Sequence, residues 1–255
     1  MRIPSLIMTI VAGLLGSLAA GGCLAGESIE VVKAEGYVAV SQQDQQARQV
    51  FSKSTLPAKH YLVTGPDGRA VVKVGGIGYI VVEKNSKIEI NKSGDYAGIF
   101  RHVTGMIYYA MNVMSGSRNP VAVKTAAATI GVRGTRFLVV DLPDRNEIGI
   151  RKGMVDVTSP GEAYEIHRKA QEDEFEAYKK EGRDAIAGEK RSFSEYKANA
   201  EREFIEYKRE FALGADRMAT FDGNHVTERA LSDESKKDME SLESYGAEWL
   251  KDVRD

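Results

Sequence analysis

The chain of 255 residues contains a single cysteine, Cys23. That excludes an internal disulfide, a thiolate metal centre and a dithiol redox pair, so a packed core must hold the fold. Its four histidines, His60, His102, His167 and His225, are scattered, with no pair at the i, i+4 spacing a zinc-binding helix uses. No metal site is expected on that basis. No Gly-x-Ser-x-Gly nucleophile elbow occurs. "VGGIG" from Val74 to Gly78 is not followed by Gly-Lys-Ser/Thr and leads into strand-like "YIVVE", so it predicts a hairpin turn and not a phosphate loop. No catalytic residue and no cofactor is assigned. Dense Lys/Arg runs are also missing: Lys84, Lys87, Lys92, Arg101, Arg118, Lys124, Arg133 and Arg136 are spread among apolar residues, which argues against nucleic acid as a partner.

What is present begins with an export signal. Arg2 is the only charge before "IPSLIMTIVAGLLGSLAAGG", and the run dissolves into Gly and Ala before Cys23. Ala20-Gly21-Gly22-Cys23 resembles a bacterial lipobox, with Ala20 where a bulky residue is usual. Three fates fit residues 1–23: a lipoprotein signal that leaves Cys23 lipidated, a secretory signal, or a retained anchor. The address is extracytoplasmic in each: periplasm or cell envelope.

From residue 24 to 160 the pattern is short Val/Ile-rich runs cut by turn residues. "IEVVKAEGYVAV" holds two runs. "HYLVTGPDGRAVVKVGGIGYIVVEKNSKIEI" holds four, broken at Gly65-Pro66-Asp67-Gly68, Gly75-Gly76 and Lys84-Asn85-Ser86. "GMIYYAMNV", "NPVAVKT", "RFLVVDL" and "EIGIRKGMVDVTS" supply the rest, the last two as a hairpin-like pair. About ten strands at close spacing predict an all-β sandwich or flattened barrel.

Past Pro160 the texture changes. Residues 161–255 contain no proline and are rich in Glu, Lys, Ala and Arg, and the net charge turns from basic to acidic. "FEAYK" at Phe175, "FSEYK" at Phe193 and "FIEYK" at Phe204 repeat an aromatic pattern. Their spacing falls near whole helical turns, so Phe175, Tyr178, Phe193, Tyr196, Phe204, Tyr207 and Phe211 form one predicted helical stripe, either a helical-hairpin face or a self-association seam. A last helix is predicted over roughly Thr227 to Val253. The expected fold is α+β as a whole: a β domain at 24–160 followed by a charged, amphipathic helical region at 161–255.

Four ordered segments of the β domain, "TGPDGRAVVKVGG", "NSKIEI", "NPVAVKTAAATIGVRGTRFLVV" and "NEIGIRKGMVDVTS", resemble the FecR domain. The resemblance implies an extracytoplasmic β module that binds or senses; in the regulators of that family it passes a signal from an outer-membrane transporter to a sigma factor. Only Met1 and Arg2 precede the apolar run here, so the cytoplasmic sigma-regulating part is not expected.

Within "AAATIGVRGTRF", the residues Gly131, Arg133, Gly134, Thr135 and Phe137 are expected to define a corner of the fold. Gly134 would supply a positive φ, Thr135 a local hydroxyl bond, and Arg133 a guanidinium fork across loop carbonyls. An anion site on Arg133 and Arg136 is the alternative. The functional expectation is a non-enzymatic envelope protein that binds a protein or a cell-wall polymer. The structural alternative is a scaffold that self-associates through its helices, and the enzymatic one is a glycan hydrolase with two carboxylates from distant strands.

Overall fold

The computed structural model describes residues 29–42, 46–57, 59–93, 96–112, 121–168 and 204–250. Residues 1–23 with the expected export signal and Cys23, and the aromatic residues Phe175, Tyr178, Phe193 and Tyr196, lie outside them.

Strands come in the order β1 (Ile29–Glu35), β2 (Val38–Ser41), β3 (Arg48–Gln49), β4 (Ser54–Thr55), β5 (Tyr61–Thr64), β6 (Arg69–Val74), β7 (Gly78–Val82), β8 (Lys87–Ser93), β9 (Tyr96–Met111), β10 (Val121–Lys124), β11 (Thr129–Val132), β12 (Arg136–Leu142), β13 (Arg145–Lys152) and β14 (Met154–Thr158). After the predicted domain end they continue: β15 (Tyr164–Arg168), β16 (Phe204–Lys208), β17 (Glu210–Gly214), β18 (Arg217–Asp222) and β19 (His225–Ala230). One helix, α1 (Asp233–Leu250), closes the described chain.

Two sheets face each other. The first runs β4-β1-β6-β7-β9-β12-β13-β18-β19-β15-β16. The second runs β3-β2-β5-β8-β9-β10-β11-β14-β17. All pairings are antiparallel except β9 with β10 and β15 with β19. Strand β9 belongs to both, pairing with β8 and β10 early and with β7 and β12 late. It passes between them at Gly105, with φ +102 and Ser86 packed so close that a Cβ would lie 2.1 Å from its Oγ. Only glycine fits both demands.

The first sheet is covered on both faces, which explains why its strands read as continuous apolar runs and not as alternations. Val72, Tyr109 and Val139 point into the core between the sheets. Their neighbours Val71, Tyr108 and Val140 point the other way, into a second core with Met218, Leu231, Met239 and Leu242 beneath α1. Small residues let the helix lie close: a Cβ on Gly246 would meet Val81 Cγ2 at 2.9 Å, and one on Gly149 would meet Met239 Cε at 2.8 Å. Ser232 caps α1, its hydroxyl accepting from the Ser235 backbone N–H at 3.1 Å.

The β domain followed by a helical region is present, with two corrections. Residues 204–230 are strands of the same sheets, and the final helix starts at Asp233, not near Thr227. Asp222-Gly223-Asn224 closes the β18–β19 hairpin, with Asp222 opposite His225. The expected hairpin-like pair of "RFLVVDL" and "EIGIRKGMVDVTS" is present as β12 with β13; β14 pairs in the other sheet, and Gly153 is the corner between β13 and β14.

Candidate functional site

The segment from Val132 to Arg136 carries the chain from the second sheet into the first, beside the β13–β14 corner that crosses back. Gly134 has φ +64 and Gly153 φ +89. A Cβ on Gly153 would sit 2.9 Å from the Gly134 carbonyl and 3.0 Å from Thr135 Oγ1, so the two crossings touch backbone to backbone. Thr135 is fully buried, and its hydroxyl lies 2.8 Å from the Met154 carbonyl and 3.4 Å from that of Arg133. Phe137 stacks on Tyr109, centroids 4.8 Å apart and planes at 11°. Gly131 lies on β11 opposite Asp156.

Arg133 is placed differently from the expectation. Its side chain is exposed and makes no hydrogen bond or ion pair among the described residues. The guanidinium that ties a carbonyl is that of Arg136, whose Nη1 donates to Met111 O at 2.9 Å. Around Arg133 the corner also exposes Lys152 and Met154, the latter 57% accessible.

Of the predicted helical stripe, Phe204 and Tyr207 are on β16 and Phe211 on β17. Phe211 is buried in the main core, edge-on to Tyr164, and Tyr207 is exposed. Strand backbone puts alternate residues on opposite faces, so a helical stripe does not exist there. In the alanine run before the corner, Ala128 is buried in the main core and Ala127 packs against it, while Ala126 is exposed. The Tyr164 hydroxyl, its pKa pushed up to about 12 by burial, donates to Ala127 O at 2.6 Å and joins β15 to the β10–β11 turn.

Two features were missed by sequence reasoning. His102 is buried, with its rings' nitrogens 3.2 Å from Gly105 O (Nε2) and 3.2 Å from Tyr109 Oη (Nδ1). A carbonyl only accepts, so Nε2 carries the proton and Nδ1 accepts from Tyr109. Burial holds the His102 pKa down to about 4. His167 and His225, far apart in sequence, both reach Glu165: His167 Nε2 to Oε1 at 2.9 Å, His225 Nδ1 to Oε2 at 3.4 Å. The search at helical spacing passed over strand geometry, in which Glu165 and His167 share a face at i, i+2.

The FecR protein family model matches residues 60–156. No curated protein matches the chain. Two crystal structures of a candidate anti-sigma factor from Parabacteroides distasonis are similar to it. One has a TM-score of 0.46 at 12% identity, covering 71% of this chain and 64% of the other. The second has a TM-score of 0.34 at 12% identity, covering 79% and 59%. This chain thus spans less than two thirds of the length of each. The stretch that matches the FecR family model, residues 60–156, runs from the start of β5 into β14 and includes the Gly134–Thr135 corner.

Proposed function

We propose that the protein is a non-enzymatic sensing or binding protein of the cell envelope whose FecR domain contacts a protein partner through the corner at Arg133, Lys152 and Met154. One observation supports this most. Gly134, Thr135 and Gly153 are consumed by contacts within the fold, yet the side chains beside them face solvent, and one of them is a guanidinium without a partner among the described residues. A basic group next to an exposed methionine on a rigid backbone corner suits protein recognition: charge gives orientation and the thioether adapts to the surface it meets. Export through residues 1–23 and lipid attachment at Cys23 belong to the same reading. Among the described residues no helix is long and apolar enough to cross a membrane.

A photo-crosslinking residue at Met154 tests it in intact envelopes. A discrete adduct that Arg133→Glu abolishes, with the thermal midpoint unchanged, supports the reading. An adduct indifferent to Arg133→Glu, or none from Met154 when a probe at exposed Tyr207 does give one, overturns it. Labelled palmitate incorporated into the chain and lost in Cys23→Ser would support the anchor; equal labelling of both would reject it.

A further inference from the structure

Strands β15 and β19 run parallel, with Glu165 directly opposite His225 and His167 opposite Thr227. Since alternate residues share a face, Glu165, His167 and His225 emerge on one side of the sheet. One ligand atom from each lies within 4.8 Å of the others, and among the described residues this is the one group of three or more His, Cys, Asp or Glu side chains that meets so closely. The imidazole centroids are 6.2 Å apart.

We infer that Glu165, His167 and His225 form a binding site for a borderline divalent cation of the zinc, nickel or copper type. Two imidazoles and one carboxylate are the donor set such ions prefer, whereas magnesium and calcium favour oxygen alone. Bonds of about 2.0–2.2 Å in a tetrahedral site put ligand atoms roughly 3.3–3.5 Å apart. The two contacts to Glu165, 2.9 and 3.4 Å, lie just below and within that spacing. With the three ligand atoms within 4.8 Å of one another, the largest closure an ion would ask for is about 1.5 Å. His225, with a side chain 63% exposed just after a two-residue turn, can supply it by rotating.

Without metal the carboxylate, which only accepts, takes a hydrogen bond from His167 Nε2 at 2.9 Å. Binding an ion displaces that proton and gives the nitrogen's lone pair to the metal. Glu165 and His167 are mostly covered, with side-chain exposures of 25% and 19%, while His225 is open to solvent. That leaves a coordination position for water or for a donor from another molecule. The ion would staple β15 to β19, joining residues 58 to 60 positions apart, beside the Arg168–Glu228 ion pair that links the same strands at 3.0 Å. The inference does not depend on the partner contact proposed for the FecR corner.

Equilibrium dialysis of the untagged full chain, carrying Cys23→Ser so that no thiol contributes, against zinc and separately magnesium gives the test. One equivalent of zinc retained at micromolar free metal, with no magnesium taken up at a thousandfold higher concentration, is the expected result. Changing His225→Gln should remove that equivalent or weaken it at least about tenfold, the lower bound expected even for loss of a supporting residue. Because His225 is exposed, the metal-free thermal midpoint should not move. Zinc retention below stoichiometric levels would overturn the site. So would full retention in both His225→Gln and Glu165→Gln, which would place the metal elsewhere.

Discussion

The hydroxyl of Thr135 reaches the main-chain carbonyl of Met154 across 2.8 Å, linking the two chain crossings between the sheets. Thr135 is fully buried, so its hydroxyl has this bond in place of water. Replacing Thr135→Val keeps the shape and deletes the donor, and should cost about 1 kcal/mol, the net worth of a typical intramolecular hydrogen bond. Thr135→Ser keeps the donor and loses only a methyl group, so it should be the milder change. Urea denaturation midpoints of the two variants check the order; a Ser variant weaker than Val would mean that packing, and not the hydrogen bond, matters at this corner.

Helix propensity and packing give opposite signs at Gly246. In an exposed helix interior, Gly→Ala gains about 1 kcal/mol. Here the new methyl would lie 2.7 Å from Tyr79 Cε2 and 2.9 Å from Val81 Cγ2, and Val81 is fully buried in the sheet below. Overpacking of that kind costs about 1–3 kcal/mol. Gly246→Ala should therefore lower the thermal midpoint, and adding Val81→Ala should recover part of the loss. A midpoint raised by Gly246→Ala alone would show that α1 is free to lift.

The strands of residues 29–158 were readable because glycine and Asp/Asn turns punctuate them, and because both faces of the first sheet are covered, which left whole runs apolar. The strands after Tyr164 were hidden by a local likeness. "FIEYK" repeats the texture of "FEAYK" and "FSEYK", yet Phe204 to Lys208 is held as a strand by pairing with Tyr164 to Arg168. That partner is distant in sequence, and β propensity is weak enough for such pairing to decide the outcome. Alternation at Phe211 and Leu213, both buried, with exposed Ala212 between them, was the local signal available. Arg133 was assigned the carbonyl-binding role that Arg136 performs; the two differ only in which side of the Gly134 turn they leave from, and no spacing rule fixes that. The Glu165–His225 meeting depends on a parallel pairing, for which sequence carries no local mark.

Attachment of α1 to the sheet rests partly on Arg145. Its guanidinium lies 2.6 Å from Glu147 Oε1 and 3.2 Å from Asp238 Oδ2 of the helix, and Ser235 Oγ donates to the same Glu147 oxygen at 3.0 Å. Burial alone would disfavour the charge on Arg145, but Glu147 and Asp238 outweigh it and its pKa is raised. Glu147, with a side chain 7% exposed, is the covered partner. Glu147→Ala leaves the guanidinium with the more exposed Asp238 and Glu234 and should cost about 2–4 kcal/mol, near the range for breaking a buried pair. A double-mutant cycle with Arg145→Met measures the coupling; the double variant should be more stable than Glu147→Ala alone, since the stranded charge is gone.

Acid sensitivity follows from His102. It is neutral in the fold, donating from Nε2 to Gly105 O and accepting from Tyr109 at Nδ1, and burial holds its pKa down to about 4. An unfolded histidine titrates near pKa ~6.5. Between those values the unfolded chain binds a proton that the folded chain refuses, so stability rises with pH across the interval and falls as pH drops from about 6.5 toward 4. At about 1.4 kcal/mol per pKa unit, the full interval corresponds to roughly 3 kcal/mol. Tyr109 does not counteract this, because burial pushes its own pKa well above the ordinary tyrosine value and it stays neutral throughout. His102→Gln keeps a polar group in the site but has no proton to gain, so its urea midpoint should depend less on pH between 6.5 and 4 than that of the unaltered chain. Equal slopes for the two proteins would mean that His102 is protonated within the fold, and that the Gly105 and Tyr109 contacts rearrange to accept the charge.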